Sequence, residues 1–168
     1  MGYYVTGDGH LVIKKENLEK AYEALMTLQD APDSAKRGGA YSGGQQTASW
    51  YSWMPEDLRT LTSTREVFEQ LGFEIEESED GDLVIGYYDN KTGQEEVFFA
   101  AAAPFIENGE YDWQGEDGDF WRWIFLDGKM YIKSGHRSYS DAEEVTLAKL
   151  NSDLAAMMGR IEAAIAPK

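Results

Sequence analysis

Arg122 stands between Trp121 and Trp123 in FWRWIFL, the most apolar run of the chain. A guanidinium is a planar fork of N–H donors suited to a carboxylate or a phosphate. In an apolar strand it must reach a sheet edge or pair with an acid. Glu116, Asp117 and Asp119, across the preceding turn, are the expected partners. The other use of such a residue is to face a ligand in an aromatic pocket. A second group of the same chemistry lies in APDSAKRGGAYSGGQQTAS, residues 31–49, where Lys36 and Arg37 are followed by two Gly-Gly pairs and then by Trp50, Tyr51 and Trp53. Glycine pairs let backbone N–H groups approach a phosphate, although no Walker pattern is present. Lys36, Arg37, Trp50, Trp53 and Arg122 are therefore the candidate ligand-binding set, and residues 36–53 the candidate loop of a small-ligand or nucleotide sponge.

Other chemistry is thin. The chain has no cysteine, which removes disulfides, thiolate metal sites and a thiol nucleophile. His10 and His136 are far apart and neither has a Ser or Asp partner motif. Carboxylates abound, but no pair is singled out by the apolar surroundings that raise a pKa. Glu-Asp-Gly-Asp occurs at 79–82 and again at 116–119. Neither supplies the alternating oxygen ligands and terminal Glu of a calcium loop, and both sit between apolar runs where Asp-Gly makes a hairpin turn. We expect no enzymatic activity, no metal site and no cofactor.

Charge is the stronger signal. The 168 residues carry a net charge of −16. Between Glu66 and Asp119 there are 17 acids and one base, Lys91, so that window holds the whole excess. Such a field repels nucleic acid and anionic membrane and attracts basic proteins. Glu74 and Glu76 alternate along a strand, ~6.7 Å apart. With Glu77, Glu79, Asp80 and Asp82 they form a candidate acidic interaction face. Rows of that kind present a phosphate-like field to a DNA-binding enzyme or another basic protein.

These groups have to be positioned by an α+β fold. Short runs at Tyr3–Thr6 and His10–Lys14 flank a turn-like Gly7-Asp8-Gly9. Asn17 is placed to cap a helix running to about Gln29. Residues 31–49 read as a flexible loop. Ser63 and Glu66 make a capping-box pair for a short helix stopped by Gly72. Phe73–Glu77 and Leu83–Tyr87 alternate as a hairpin, with a turn at 89–93. EEVFFAAAA reads as a helix closed by Pro104. Tyr111–Trp113, Phe120–Leu126 and Met130–Lys133 form a meander, its middle strand apolar enough to be central and covered on both sides. The expected fold is an antiparallel sheet of about five to seven strands with helices on one face, its core of the ferredoxin-like kind.

Residues 140–168 read as a separate element. Ser140 and Glu143 are spaced to cap a helix running to about Ala164, roughly 35 Å long. Leu147, Leu150, Leu154, Met157 and Ile161 make a near-heptad seam. The helix is expected to pack on the 1–139 domain or to pair with another chain as an oligomer.

The opening Met1-Gly2-Tyr3-Tyr4-Val5-Thr6-Gly7 and the block Gly115-Glu116-Asp117-x-Asp119-x-Trp121-Arg122 resemble small uncharacterised proteins of actinobacteria and their phages. The resemblance implies a phage accessory protein made in the host cytoplasm. Small acidic phage proteins of this kind often bind host or defence proteins. No run approaches the ~20 apolar residues of a membrane helix, and the N-terminus lacks the basic and apolar regions of a signal peptide. The leading expectation is a non-enzymatic, cytoplasmic protein-binding module acting through its acidic face.

Overall fold

The structure, a computed structural model, describes residues 2–42, 44–136, 138–142 and 147–165. The chain divides into two compact units, Met1–Arg137 and Ser138–Lys168. The first holds strands β1 (Tyr4–Gly9), β2 (Leu11–Ile13), β3 (Gly38–Ser42), β4 (Gln45–Ser49), β5 (Phe73–Glu77), β6 (Leu83–Lys91), β7 (Gly109–Gly115), β8 (Phe120–Leu126) and β9 (Lys129–Gly135). Its α-helices are α1 (Leu18–Met26), α2 (Thr64–Leu71) and α3 (Glu95–Ala102). The second unit holds α4 (Leu147–Ile165).

Seven of the strands form one antiparallel sheet. Ile85 pairs with both Leu11 and Ile75, and Tyr88 with both Gly7 and Phe73. So β1 and β2 share one edge of β6, and β5 takes the other. The lanes run β5, β6, β1/β2, β7, β8, β9. Taken as β1–α1–β5–β6–α3–β7 with lateral order β5–β6–β1–β7, this is the ferredoxin-like arrangement expected, extended by β8 and β9.

One face of the sheet holds the core. Phe73, Tyr88, Tyr111, Trp113, Trp123 and Phe125 on the strands are buried with residues from all three helices, Leu25, Phe68 and Phe99 among them. Phe99 lies at its centre, its ring centroid 4.9 Å from Phe68, 5.0 Å from Phe73 and 5.0 Å from Trp123. Local signals fix the ends of elements. The Ser63 hydroxyl accepts from the Glu66 N–H at 3.1 Å, and Gly72 closes α2 at φ +111°. Glu66 turns its own carboxylate to the N–H and hydroxyl of Thr62. Asp127 (φ +51°) and Gly128 (φ +73°) form the tight left-handed turn between β8 and β9.

Several expectations give way. Gly7-Asp8-Gly9 is not a turn: β1 runs through it, and only His10 separates β1 from β2 along the same edge of β6. Its glycines answer to packing, since a Cβ on Gly7 would lie 2.5 Å from Tyr111 Cε1. Residues 31–49 are not a structureless loop. A 3-10 turn at Asp33–Ala35 leads into the β3–β4 hairpin, whose small residues gave no apolar alternation to read. Asn17 makes no side-chain cap, because a 3-10 turn at Lys15–Asn17 already feeds α1. The turn placed at 89–93 starts later, since β6 continues to Lys91. β8 is second from the edge rather than central, and its Phe120, Trp121 and Arg122 are half-buried. Ser140 lies outside any helix, and α4 is described from Leu147; Glu143, the other half of the expected cap, falls outside the described residues.

Candidate functional site

Cross-strand partners share a face, so the register defines what stands opposite the helices. Across β1, β7, β8 and β9 one row runs Asp8, Asp112, Arg122, Lys133. A neighbouring row runs Glu110, Ile124, Tyr131. Toward the β5 edge, Glu76 pairs with Val84, and Glu74, Glu76, Tyr87, Asp8 and His10 line one shallow hollow. Tyr4 is 48% exposed, Tyr87 40% and Tyr131 49%. The face is studded with tyrosines; its free carboxylates gather toward the β5 edge, and Arg122, Lys133 and Lys91 share the rest of it. A groove of about 600 Å³ crosses its middle, lined by Thr6, Asp8, Tyr87, Asp112, Phe120 and Arg122 and reaching Lys133 and His136. That volume is within the range of ligand and peptide clefts.

Arg122 organises the groove floor. Its Nε and Nη2 donate to the two oxygens of Asp112, the second at 2.7 Å, and its Nη1 donates to Glu110. The partners are thus the acids of β7, directly across the strand pair, and not Glu116, Asp117 or Asp119. Sequence proximity across the turn pointed to the latter. Register decides, because only cross-strand neighbours share the guanidinium's face. The hydrogen bonds from Arg122, aided by its charge, hold the Asp112 carboxyl below the usual carboxylate range. Asp112 in turn raises Arg122 above its ordinary value. Asp8 faces Asp112 as a direct cross-strand pair, its carboxylate opposite one that Arg122 already holds by two hydrogen bonds.

The acidic residues singled out in the sequence do not all reach this face. Glu74 and Glu76 do, and both are exposed. Glu77 is 3.9 Å from Arg65 of α2, across on the helix side. Glu79 and Asp80 occupy the exposed β5–β6 turn, where Gly81 takes φ +87°. Asp82 is buried: it accepts from Lys14 Nζ and from the Lys15 N–H, each at 2.9 Å. It is a structural anchor for that turn. The sequence reading missed Asp8, Glu110 and Asp112, which only the strand register brings together; the polar alternation of β7 was the available signal.

The candidate ligand set is dispersed. Trp50 is buried edge-on against Phe98, 5.7 Å between centroids. Trp53 packs 4.8 Å from Tyr51. The Lys36 side chain is largely buried and 3.6 Å from Asp33. The Arg37 N–H donates to Gln94 at 2.7 Å. Arg37, through Gln94, and Trp50, through Phe98, are tied to α3, whereas Arg122 lies on the opposite face of the sheet.

In α4, Leu154 and Met157 are exposed, as is Met158. The side chains of Leu147, Leu150 and Ile161, the rest of the expected seam, lie outside those described. No described helix is long and apolar enough to cross a membrane. No family model, curated protein or solved structure matches the chain.

Proposed function

We propose that the protein is a non-enzymatic binding module that receives a basic protein on the open, acidic face of its sheet. The observation that carries this reading is the cluster of Glu74, Glu76 and Asp8 around exposed Tyr87 on the open face, with Tyr4 and Tyr131 exposed elsewhere on it. Carboxylates steer and orient a cationic partner, and tyrosines supply contact area at low entropic cost. With the resemblance to phage-borne proteins, the partner class is a host or defence protein, a DNA-binding enzyme among the candidates, met in the host cytoplasm.

The nucleotide-sponge alternative draws less support. Arg122 is already engaged by two carboxylates, so an incoming phosphate has to displace them. Assembly through α4 has one favouring observation, the exposed Leu154 and Met157 on one helical face.

The test is affinity capture from actinobacterial lysate at low and high salt, with the wild type beside the triple variant Asp8→Asn, Glu74→Gln, Glu76→Gln. The reading expects a basic protein held by the wild type at low salt, released at high salt and lost from the variant. An identical captured set on both proteins contradicts it.

A further inference from the structure

The helix side of the sheet holds a second cavity, of about 300 Å³, beside the β9 edge. Its apolar lining is Trp113, Trp121, Trp123 and Ile132, and its polar side is Thr92 and Gly93 with Glu95 and Glu96 from the first turn of α3. Trp113 and Trp121 are a cross-strand pair with ring planes parallel to within 5° and centroids 5.8 Å apart. Trp123 meets Trp113 at 59°, with centroids 4.7 Å apart. Trp113 and Trp123 are buried in the core and back the cavity, so half-buried Trp121 is the indole that forms its open wall.

The two glutamates play different parts. Glu95 is buried, and its carboxylate accepts from the Gly93 N–H at 3.0 Å and the Thr92 hydroxyl at 3.1 Å, with the Tyr88 hydroxyl 2.8 Å away. It is fixed structurally and contributes field. Glu96 is half-buried, and burial, helped by Glu95, pushes its carboxyl up from the ordinary value, while its own N–H and the distant charge of Arg37 oppose the shift. No salt bridge reaches it among the described residues. Ile132, 60% exposed, forms an apolar rim on the edge strand.

A half-buried carboxylate beside the half-buried indole of Trp121, with the buried Trp113 and Trp123 behind it, is the chemistry that selects an alkylated ammonium. Its methyl groups tolerate desolvation, its charge is drawn to an aromatic π-face, and when fully methylated it has no N–H whose hydrogen bonds to water would be lost. We infer that the cavity formed by Trp113, Trp121, Trp123, Glu96 and Ile132 is a binding site for a methylated or quaternary ammonium group. This site is distinct from the acidic open face, and neither inference depends on the other. The group has two sources, a free small cation or a trimethyllysine side chain.

The experiment is titration of the full-length protein by calorimetry and tryptophan fluorescence with choline and with a Gly-trimethyllysine-Gly peptide. Sodium chloride controls for ionic strength, and neutral 3,3-dimethyl-1-butanol serves as an isostere. The inference expects saturable binding of at least one cation. It expects binding about tenfold or more weaker for the neutral isostere and for Glu96→Gln. Whichever cation binds tighter identifies the source. Trp121→Phe, which keeps an aromatic wall, should retain the melting temperature and weaken binding severalfold. The inference is overturned if neither cation binds, if the neutral isostere binds as tightly, or if Glu96→Gln, melting as the wild type does, binds unchanged.

Discussion

Asp8 and Asp112 face each other across β1 and β7, and the physics of that pair separates stability from function. Asp8→Asn removes one of two opposed charges. Because Arg122 already neutralises Asp112, equilibrium urea unfolding should change by less than about 0.5 kcal/mol, while affinity for the basic partner falls. A larger loss of stability would mean that Asp8 has a structural partner after all. Arg122 gives a second test. Asp112 has its carboxyl lowered in the folded protein, so it contributes stability at neutral pH that is fully present above its unfolded pKa and lost as pH falls through the lower, folded value. In Arg122→Gln, carboxyl NMR should show Asp112 titrating back in the ordinary range, and the acid limb of the stability profile should flatten. Arg122 also marks the limit of what the sequence disclosed. Its need for an acid followed from residue type alone, but which acid depended on register, which residue order does not state.

At the scale of elements, the parts with local chemistry were legible. The α2 stop at Gly72, the Asp-Gly turns and the alternating hairpin β5–β6 each rest on neighbouring residues, and the structure has them. EEVFFAAAA was legible as α3 because alanine favours helix. What the sequence did not disclose was Glu95, a buried carboxylate that ties the end of β6 to the start of α3 through Tyr88, Thr92 and Gly93. Thr92 and Glu95 carried the spacing of a capping box, but burial is a tertiary property. Glu95→Ala removes the acceptor of the Gly93 N–H and of the Thr92 hydroxyl and one of the two acceptors of the buried Tyr88 hydroxyl, which keeps the Lys91 carbonyl. It should cost about 2–3 kcal/mol by urea unfolding, whereas alanine at exposed Glu19 of α1 should stay within about 0.5 kcal/mol. The misread segments share one cause. Gly7-Asp8-Gly9 and residues 31–49 are rich in small residues, and small residues serve strands that accept close packing as readily as they serve turns.

Over the whole molecule, the fold explains why one face is available. Phe99, Phe68, Tyr111 and Trp113 satisfy the sheet on its helix side, so the opposite side is released from core duty. The sequence showed that the acid excess was confined to one window, but not that strands from inside and outside it converge: Asp8 comes from the N-terminus, Glu74 and Glu76 from β5, Glu110 and Asp112 from β7. The acidic residues that stay off this face, Glu77 beside Arg65 and Asp82 beneath Lys14, have structural occupations instead. The claim that this face receives the partner is tested most directly by carboxylate footprinting of the protein alone and in complex with its captured partner. The account predicts protection concentrated at Asp8, Glu74 and Glu76, with Glu16 and Glu19 near and on α1 labelled equally in both states. Protection on the helix side, with Asp8, Glu74 and Glu76 as reactive as in the free protein, would contradict it.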